Sequence, residues 1–225
     1  MLALKLGLSL VSTPILGGWS PDDETSLVAW YQNQVGITLN GSDVSAWADS
    51  SSNSYDMVQA TATERPAYSA GVLTFVKADT NNLQTAGQIS LTDDFTLGLR
   101  INTSTINGAF LADNTSADEF FKYSASNALS YRIAGSATTN LILDSGTFGD
   151  DYIVITRVSN VLTLWHNGLQ QTTSSPTTIG TCLIDVIGLR RTDLNAFDGT
   201  IKEIQIYSSS SASLTSNIND RLSTL

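Results

Sequence analysis

Residues 2–11, "LALKLGLSLV", place Leu2, Leu4, Leu6, Leu8 and Leu10 on every second position, with Ala3, Lys5, Gly7, Ser9 and Val11 between them. Successive side chains of a strand point to opposite faces, so this alternation predicts a strand with one leucine face. A helix would spread the same leucines around its axis. A secretion signal carries its basic residues ahead of the apolar run, whereas Lys5 lies inside it. The segment is therefore expected to be an uncleaved N-terminal strand. Residues 12–24, "STPILGGWSPDDE", are rich in Pro and Gly and read as a linker between this arm and a globular domain.

From Leu27 onward, strand-like runs alternate with turns at short, regular spacing, the all-β pattern. "FTLGLRI" (95–101) puts Phe95, Leu97, Leu99 and Ile101 on one face and Thr96, Gly98 and Arg100 on the other. "DYIVITRV" (151–158) and "VLTLWHNG" (161–168) flank Ser159-Asn160, and the second run ends at Asn167-Gly168. Asn-Gly tolerates positive φ at both central positions and favours tight hairpins. "TIKEIQIY" (200–207) predicts a further strand, its alternation setting Ile201 opposite to Ile204 and Ile206. The tail changes period: Leu214, Ile218 and Leu222 share one helical face, with Ser213 or Thr215 as the expected cap, after a turn at residues 208–211.

Composition narrows the partners. The 225 residues are 41% hydrophobic and only 14% charged, enough for one good all-β core. Acidic residues outnumber basic ones 21 to 11, a formal net charge of −10. No Lys/Arg cluster offers itself to phosphates, which argues against nucleic acid and against an anionic membrane surface. No apolar run approaches the roughly 20 residues of a membrane span. Cys182 is the single cysteine, so no internal disulfide exists, and its apolar setting reads as a small buried hydrophobe.

Several of these stretches together resemble one family. "GDDYIVITRVSNVLTLWHNGLQQ" is similar to the hairpin of laminin-G-like, concanavalin A-like jelly-roll domains, through Val154, Arg157, Asn160, Leu162, Leu164, Trp165, Asn167 and Gly168. Phe197-Asp198-Gly199 leading into Ile201, Glu203, Ile204 and Tyr207 resembles that family's closing strands. "VSAWADSSSNSYD" with the later "RPAY", "LTF" and "DDFT" resembles its opening, with Ser51-Ser52-Asn53 where Ser-Gly-Asn is common and "VKADTN" where "FDG" is common. The resemblance covers residues 26–224. It implies a concanavalin A-like (LamG-like) jelly-roll sandwich of two antiparallel sheets at residues 25–225, with the strand arm and linker at 1–24 and a short C-terminal helix.

Candidate chemistry is thin. Related jelly rolls include glucan hydrolases, which need paired carboxylates, yet no Glu-x-Asp-x-x-Glu pattern occurs, and the adjacent acids of "TDDF" (92–95) and "ADEF" (117–120) suit turns. His166, the only histidine, has no His or Cys nearby and reads as a strand residue near a sheet end. The chain is therefore expected to have no catalytic residues and not to be an enzyme. No cofactor is expected. The family sometimes holds loop calcium, for which Asp79 with Asn81 and Asp113 with Asn114 are the pairs to watch, although Asp and Asn also serve turns locally. Trp30, Trp47 and Trp165 fall at positions that read as core, leaving Trp19 in the linker. The Asn-x-Ser/Thr triplets at Asn40, Asn102 and Asn114 carry no information in so Ser/Thr-rich a chain.

Jelly rolls of this kind are often carried on virus particles. An exposed five-leucine strand is an aggregation hazard unless it pairs with another sheet edge. The expected function is a structural protein of a phage virion, a capsid decoration (cement) or a head or tail fibre component on the particle's outer surface. Leu2, Leu4, Leu6, Leu8 and Leu10 form its assembly arm, adding a strand to a neighbouring subunit. Its partners would be other virion proteins and copies of itself, with a trimer as the expected form. The alternative is a lectin-like module that binds a host surface glycan.

Overall fold

The computed structural model describes residues 18–103, 105–106, 108–115, 119–190 and 196–225. The leucine arm, Leu2 to Leu10, lies outside the described residues. The first strands are β1 (Leu27–Tyr31), β2 (Ile37–Asn40), β3 (Asp43–Trp47), β4 (Met57–Val58), β5 (Ala67–Ser69) and β6 (Val72–Phe75). Next come β7 (Leu83–Leu91), β8 (Phe95–Thr103), β9 (Ala109–Ala112), β10 (Phe120–Ala125), β11 (Ala128–Arg132) and β12 (Thr139–Ile142). The last are β13 (Asp150–Val158), β14 (Val161–His166), β15 (Leu169–Gln170), β16 (Cys182–Ile187) and β17 (Gly199–Tyr207), followed by helix α1 (Ala212–Ser223).

Antiparallel pairing orders β1, β17, β8, β13, β14 and β15 into one layer. The second layer runs β4, β7, β16, β9, β10, β11 and β12. β3 pairs with β4 and β5, and β6 joins β5 to β17, so hydrogen bonding continues from one layer to the other along one side. Leu97, Leu99, Ile153 and Leu164 of the first layer meet Ile89, Phe121, Tyr131 and Ile184 of the second in one buried core. This is an all-β antiparallel sandwich of jelly-roll type with one short C-terminal helix.

Local chemistry explains the main turns. Ser159 and Asn160 adopt φ of 49° and 69°, and Asn167 and Gly168 adopt 50° and 80°. Both hairpins thus use the left-handed pair whose twist matches the flanking strands. The Asp49 carboxylate organises the turn that carries the family-like "ADSSSN" motif. Trp30 and Ser51 N–H donate to its Oδ1 (2.9 and 2.8 Å), and the Ser51 hydroxyl and Tyr55 N–H donate to its Oδ2 (2.7 and 3.0 Å).

Two sequence expectations change. Ile201 does not oppose Ile204 and Ile206: all three enter the core, because the β17 register against β8 shifts between Ile201 and Glu203. A bulge adds one residue to the strand and so reverses the face on which everything before it points. The helix cap is Ser211, whose Oγ accepts from Leu214 N–H (3.1 Å), in place of Ser213 or Thr215. Thr215 instead donates its hydroxyl back to the Ser211 carbonyl (2.9 Å).

The helix lies on the outer face of the first layer. Leu214, Ile218 and Leu222 pack there with Val154 and Tyr207. Gly98 permits this approach, since a Cβ at that position would sit 2.5 Å from Ile218 Cγ2. Residues 18–24, the described part of the stretch read as a linker, rest against the same layer. Pro21 is buried, Trp19 packs at the margin of the helix cluster, and its Nε1 donates to Glu24 (2.9 Å).

Candidate functional site

The outward face of the β13–β14 hairpin carries two half-buried aromatic residues, Tyr152 and Trp165. Val154 stands opposite Trp165 and Thr156 opposite Thr163 in the antiparallel register. Tyr152, Thr156 and Val158 follow the same face by alternation. Helix α1 covers Val154, while Trp165 remains half-buried at the margin of the apolar cluster together with Tyr152. A groove results, with a sheet floor and a helical wall.

Two neighbouring hollows make up the groove. The first, about 300 Å³, lies among Tyr152, Trp165, Ser216, Asn219, Asp220 and Ser223. The second, about 290 Å³, lies among Thr156, Thr163, Trp165, Gln170, Ser210 and Ser211. Trp165, Ala212 and Thr215 border both. The wall residues 212, 216, 219/220 and 223 recur at helical spacing, so one face of α1 is polar toward the groove while Leu214, Ile218 and Leu222 face the sheet. Asn219 is 8% exposed; its Nδ2 donates to the Thr215 carbonyl (2.9 Å), and its Oδ1 has no hydrogen-bond partner. The turn at Gly168 borders the first hollow, and a Cβ added there would lie 3.3 Å from the Tyr152 hydroxyl. An aromatic floor flanked by short hydroxyl and amide side chains suits a ligand with one apolar face and a hydroxylated rim.

Trp165 is the principal residue that sequence reasoning misplaced. Trp30 and Trp47 are core, at 6% and 0% exposure, as expected. Trp165 alternates to the opposite side of β14 from the core residues Leu162 and Leu164. Reading that alternation outward from Leu162 would have found it.

The other candidate residues are accounted for as follows. His166 turns toward the sandwich interior, where its Nε2 lies 2.9 Å from Asp151 Oδ1 and its ring meets Phe148 edge-on. The partner that the local sequence did not offer thus comes from the neighbouring strand. Burial alone would raise the Asp151 carboxyl, but the bonds from His166, Gly149 and Asn167 outweigh it and hold the group below its ordinary value. Cys182 is buried in the core, and burial pushes its thiol up, away from thiolate chemistry. Asn81 Oδ1 accepts from Val76 N–H (2.9 Å), so that loop is tied locally beside Asp79. Asp113 Oδ1 accepts from Gln88 Nε2 (2.6 Å) and from Thr115 N–H (3.1 Å). Among the described residues, no group of three or more His, Cys, Asp or Glu side chains is placed to hold a metal ion.

A set of carboxylates that local spacing could not reveal comes from the end of β9, the start of β10 and the middle of β16. Asp113, Glu119 and Asp185 are all buried. Glu119 bridges strands by accepting from Ala134 N–H (2.6 Å) and Leu183 N–H (2.7 Å), and Asp185 accepts from Asn114 N–H (2.6 Å). Burial raises the carboxyls of Glu119 and Asp185, and the charge of Asp113 acts in the same direction.

No protein-family model and no curated protein sequence matches the chain. Solved structures do match, at low identity. The heptameric SAP-like pentraxin from Limulus polyphemus matches with a TM-score of 0.50 and 13% identity, over 61% of this chain and 73% of its own. The Trypanosoma rangeli sialidase in complex with sialic acid matches with a TM-score of 0.52 and 14% identity over 89% of this chain. The same sialidase in complex with the inhibitor DANA gives a TM-score of 0.55 and 12% identity over 87%. This chain spans 33% and 32% of the length of those two sialidase chains. At such identity the likeness is one of fold alone. It nevertheless overturns one expectation, that the chain is not an enzyme: part of an enzyme's chain shares this fold, so the fold does not exclude catalysis.

Proposed function

We propose that the chain is a glycan-binding jelly-roll module and that the groove beside Trp165 is its sugar site. The observation that carries this reading is the half-buried Trp165 indole, with Tyr152, on the floor of a groove walled by Ser216, Asn219 and Asp220. A pyranose ring has an apolar C–H face that packs on an aromatic ring and hydroxyls that pair with amides, carboxylates and hydroxyls. Trp165→Ala is expected to weaken binding of an oligosaccharide at least tenfold by calorimetry, an effect of about 1.4 kcal/mol. Trp19→Ala, outside the groove, serves as the control. Equal affinity of Trp165→Ala and the parent chain overturns the reading.

The setting we propose is the outer surface of a phage particle, with copies of this chain and other virion proteins as partners. The alternation of Leu2, Leu4, Leu6, Leu8 and Leu10 favours it, since such a strand needs an edge to pair with. A similar fold is heptameric in the Limulus pentraxin, which supports self-association. Light scattering on the full chain and on a chain beginning at Gly18 tests this. An oligomer that becomes a folded monomer on truncation supports the arm, and a full chain that is already monomeric, like the truncated one, removes it.

A further inference from the structure

We propose that the groove takes an uncharged, linear oligosaccharide laid along α1 across Trp165, and that it rejects sialylated and uronate-bearing chains. This rests on the glycan reading above and adds length and charge to it.

Length follows from the shape. Two hollows of about 300 and 290 Å³ share Trp165, Ala212 and Thr215 as a common saddle. Each stands at the small end of the range for small-molecule sites, about 300–1,000 Å³. A single sugar ring fills one of them and leaves the other to solvent. A chain of two or more units lies over both, with Trp165 under the linkage and the adjoining ring. The hollows run on toward Ser223 at one end and toward Val158 and Ser210 at the other, so further units extend past the saddle.

Charge follows from the lining. Asp220 is the one charged residue bordering either hollow, and no Lys, Arg or His lines them among the described residues. The nearest candidates are committed elsewhere. Arg100, paired in register with Tyr152, reaches Asp150 (3.0 Å) and the Leu225 carbonyl (3.1 Å). Arg221 turns to Glu203 on the sheet side of the helix. The whole chain carries a formal net charge of −10, which adds a repulsive background. A sugar carboxylate placed here would lose water, gain no cation and face Asp220, and such like-charge juxtaposition is a standard means of rejecting a wrong partner. Neutral hydroxyls, by contrast, find Ser216, Gln170 and the Asp220 carboxylate itself as partners.

The test is calorimetric titration of the full chain with matched probes: neutral β-1,4- and α-1,4-linked hexose and N-acetylhexosamine oligomers of one to four units, and the same tetramers ended in sialic acid or a uronate. At least one neutral tetramer is expected to bind tenfold or more tightly than its monomer and than its acidic counterpart. Asp220→Asn is expected to narrow the neutral-to-acidic ratio several-fold. A monomer bound as tightly as the tetramer, or an acidic tetramer bound as tightly as the neutral one, overturns the inference while the Trp165 dependence preserves the glycan reading. No binding by any member of the panel overturns both.

Discussion

Arg221→Ala is expected to lower the free energy of unfolding by about 3 kcal/mol, the lower end of the range for removing one partner of a buried ion pair. The partner, Glu203, is fully buried in β17, whereas the Arg221 side chain on α1 is 23% exposed. Arg221 grips both carboxylate oxygens, with Nε 2.5 Å from Oε1 and Nη2 3.0 Å from Oε2, and its guanidinium lies 4.9 Å from the centre of the Trp30 ring. Deleting it strands a carboxylate that still accepts from Trp30 Nε1 (3.1 Å), Asn33 N–H (3.1 Å) and Gln205 Nε2 (2.7 Å). Those neutral donors, together with water entering past the exposed side, place the loss at the low end. For a chain of this size the change corresponds to a fall in melting temperature of about 6–12 °C. The double variant Glu203→Gln with Arg221→Ala should lose less than the two single losses added, because the neutral amide no longer needs a cation. A loss below about 1 kcal/mol for Arg221→Ala would put the pair among ordinary surface ion pairs. The effect reaches the groove, since Arg221 holds down the helix whose residues 216, 219 and 220 form its wall. Hydrogen exchange in α1 should therefore accelerate in this variant before exchange in β8 or β13 does.

Little of that network is visible along the chain, while much of the sandwich is. The alternation in 95–101 and the two-residue turns at Ser159-Asn160 and Asn167-Gly168 set β8, β13 and β14 correctly, because strand period and turn chemistry are local properties. The helical face of Leu214, Ile218 and Leu222 was equally legible. Ile201 was not: one bulge residue reverses the faces, and no single-sequence signal marks where a strand gains an unpaired residue. The site was less legible than the fold. His166 meets Asp151 only because β13 and β14 pair in one register, and Asp113 meets Glu119 and Asp185 only because three separate segments converge. Trp165 was misread because an aromatic residue beside a core strand is usually core. Its partial exposure depends on how α1 seats on the sheet, a matter of tertiary packing.

Arg157 carries the larger expected effect. It is fully buried at the end of β13, on the inward face, and its guanidinium lies 4.7 Å from the centre of the Phe95 ring. Its hydrogen bonds go to backbone carbonyls: Nε to Asp93 (2.8 Å), Nη1 to Gly180 (2.6 Å), and Nη2 to Leu91 (3.1 Å) and to Asp93 again. These carbonyls belong to chain segments leaving β7 and approaching β16, where ladder partners have run out. The fixed fork of a guanidinium serves all of them at once. Arg157→Ala removes every donor and opens a void, and stranded buried carbonyls at about 1–3 kcal/mol each make a loss above about 4 kcal/mol the expected result. Arg157→Lys keeps the charge but has a single ammonium for three carbonyls, so it should recover only part of the loss. Arg157→Met separates the two contributions, filling the volume while leaving the carbonyls unpaired. Urea unfolding should therefore order the stabilities as parent, Lys, Met, Ala. Burial also lowers the Arg157 pKa, so desolvation of the cation opposes the gain from its bonds. If Arg157→Met unfolded within about 1 kcal/mol of the parent, desolvation would have cancelled the hydrogen bonds, as it does where buried ion pairs are replaced by apolar residues without loss.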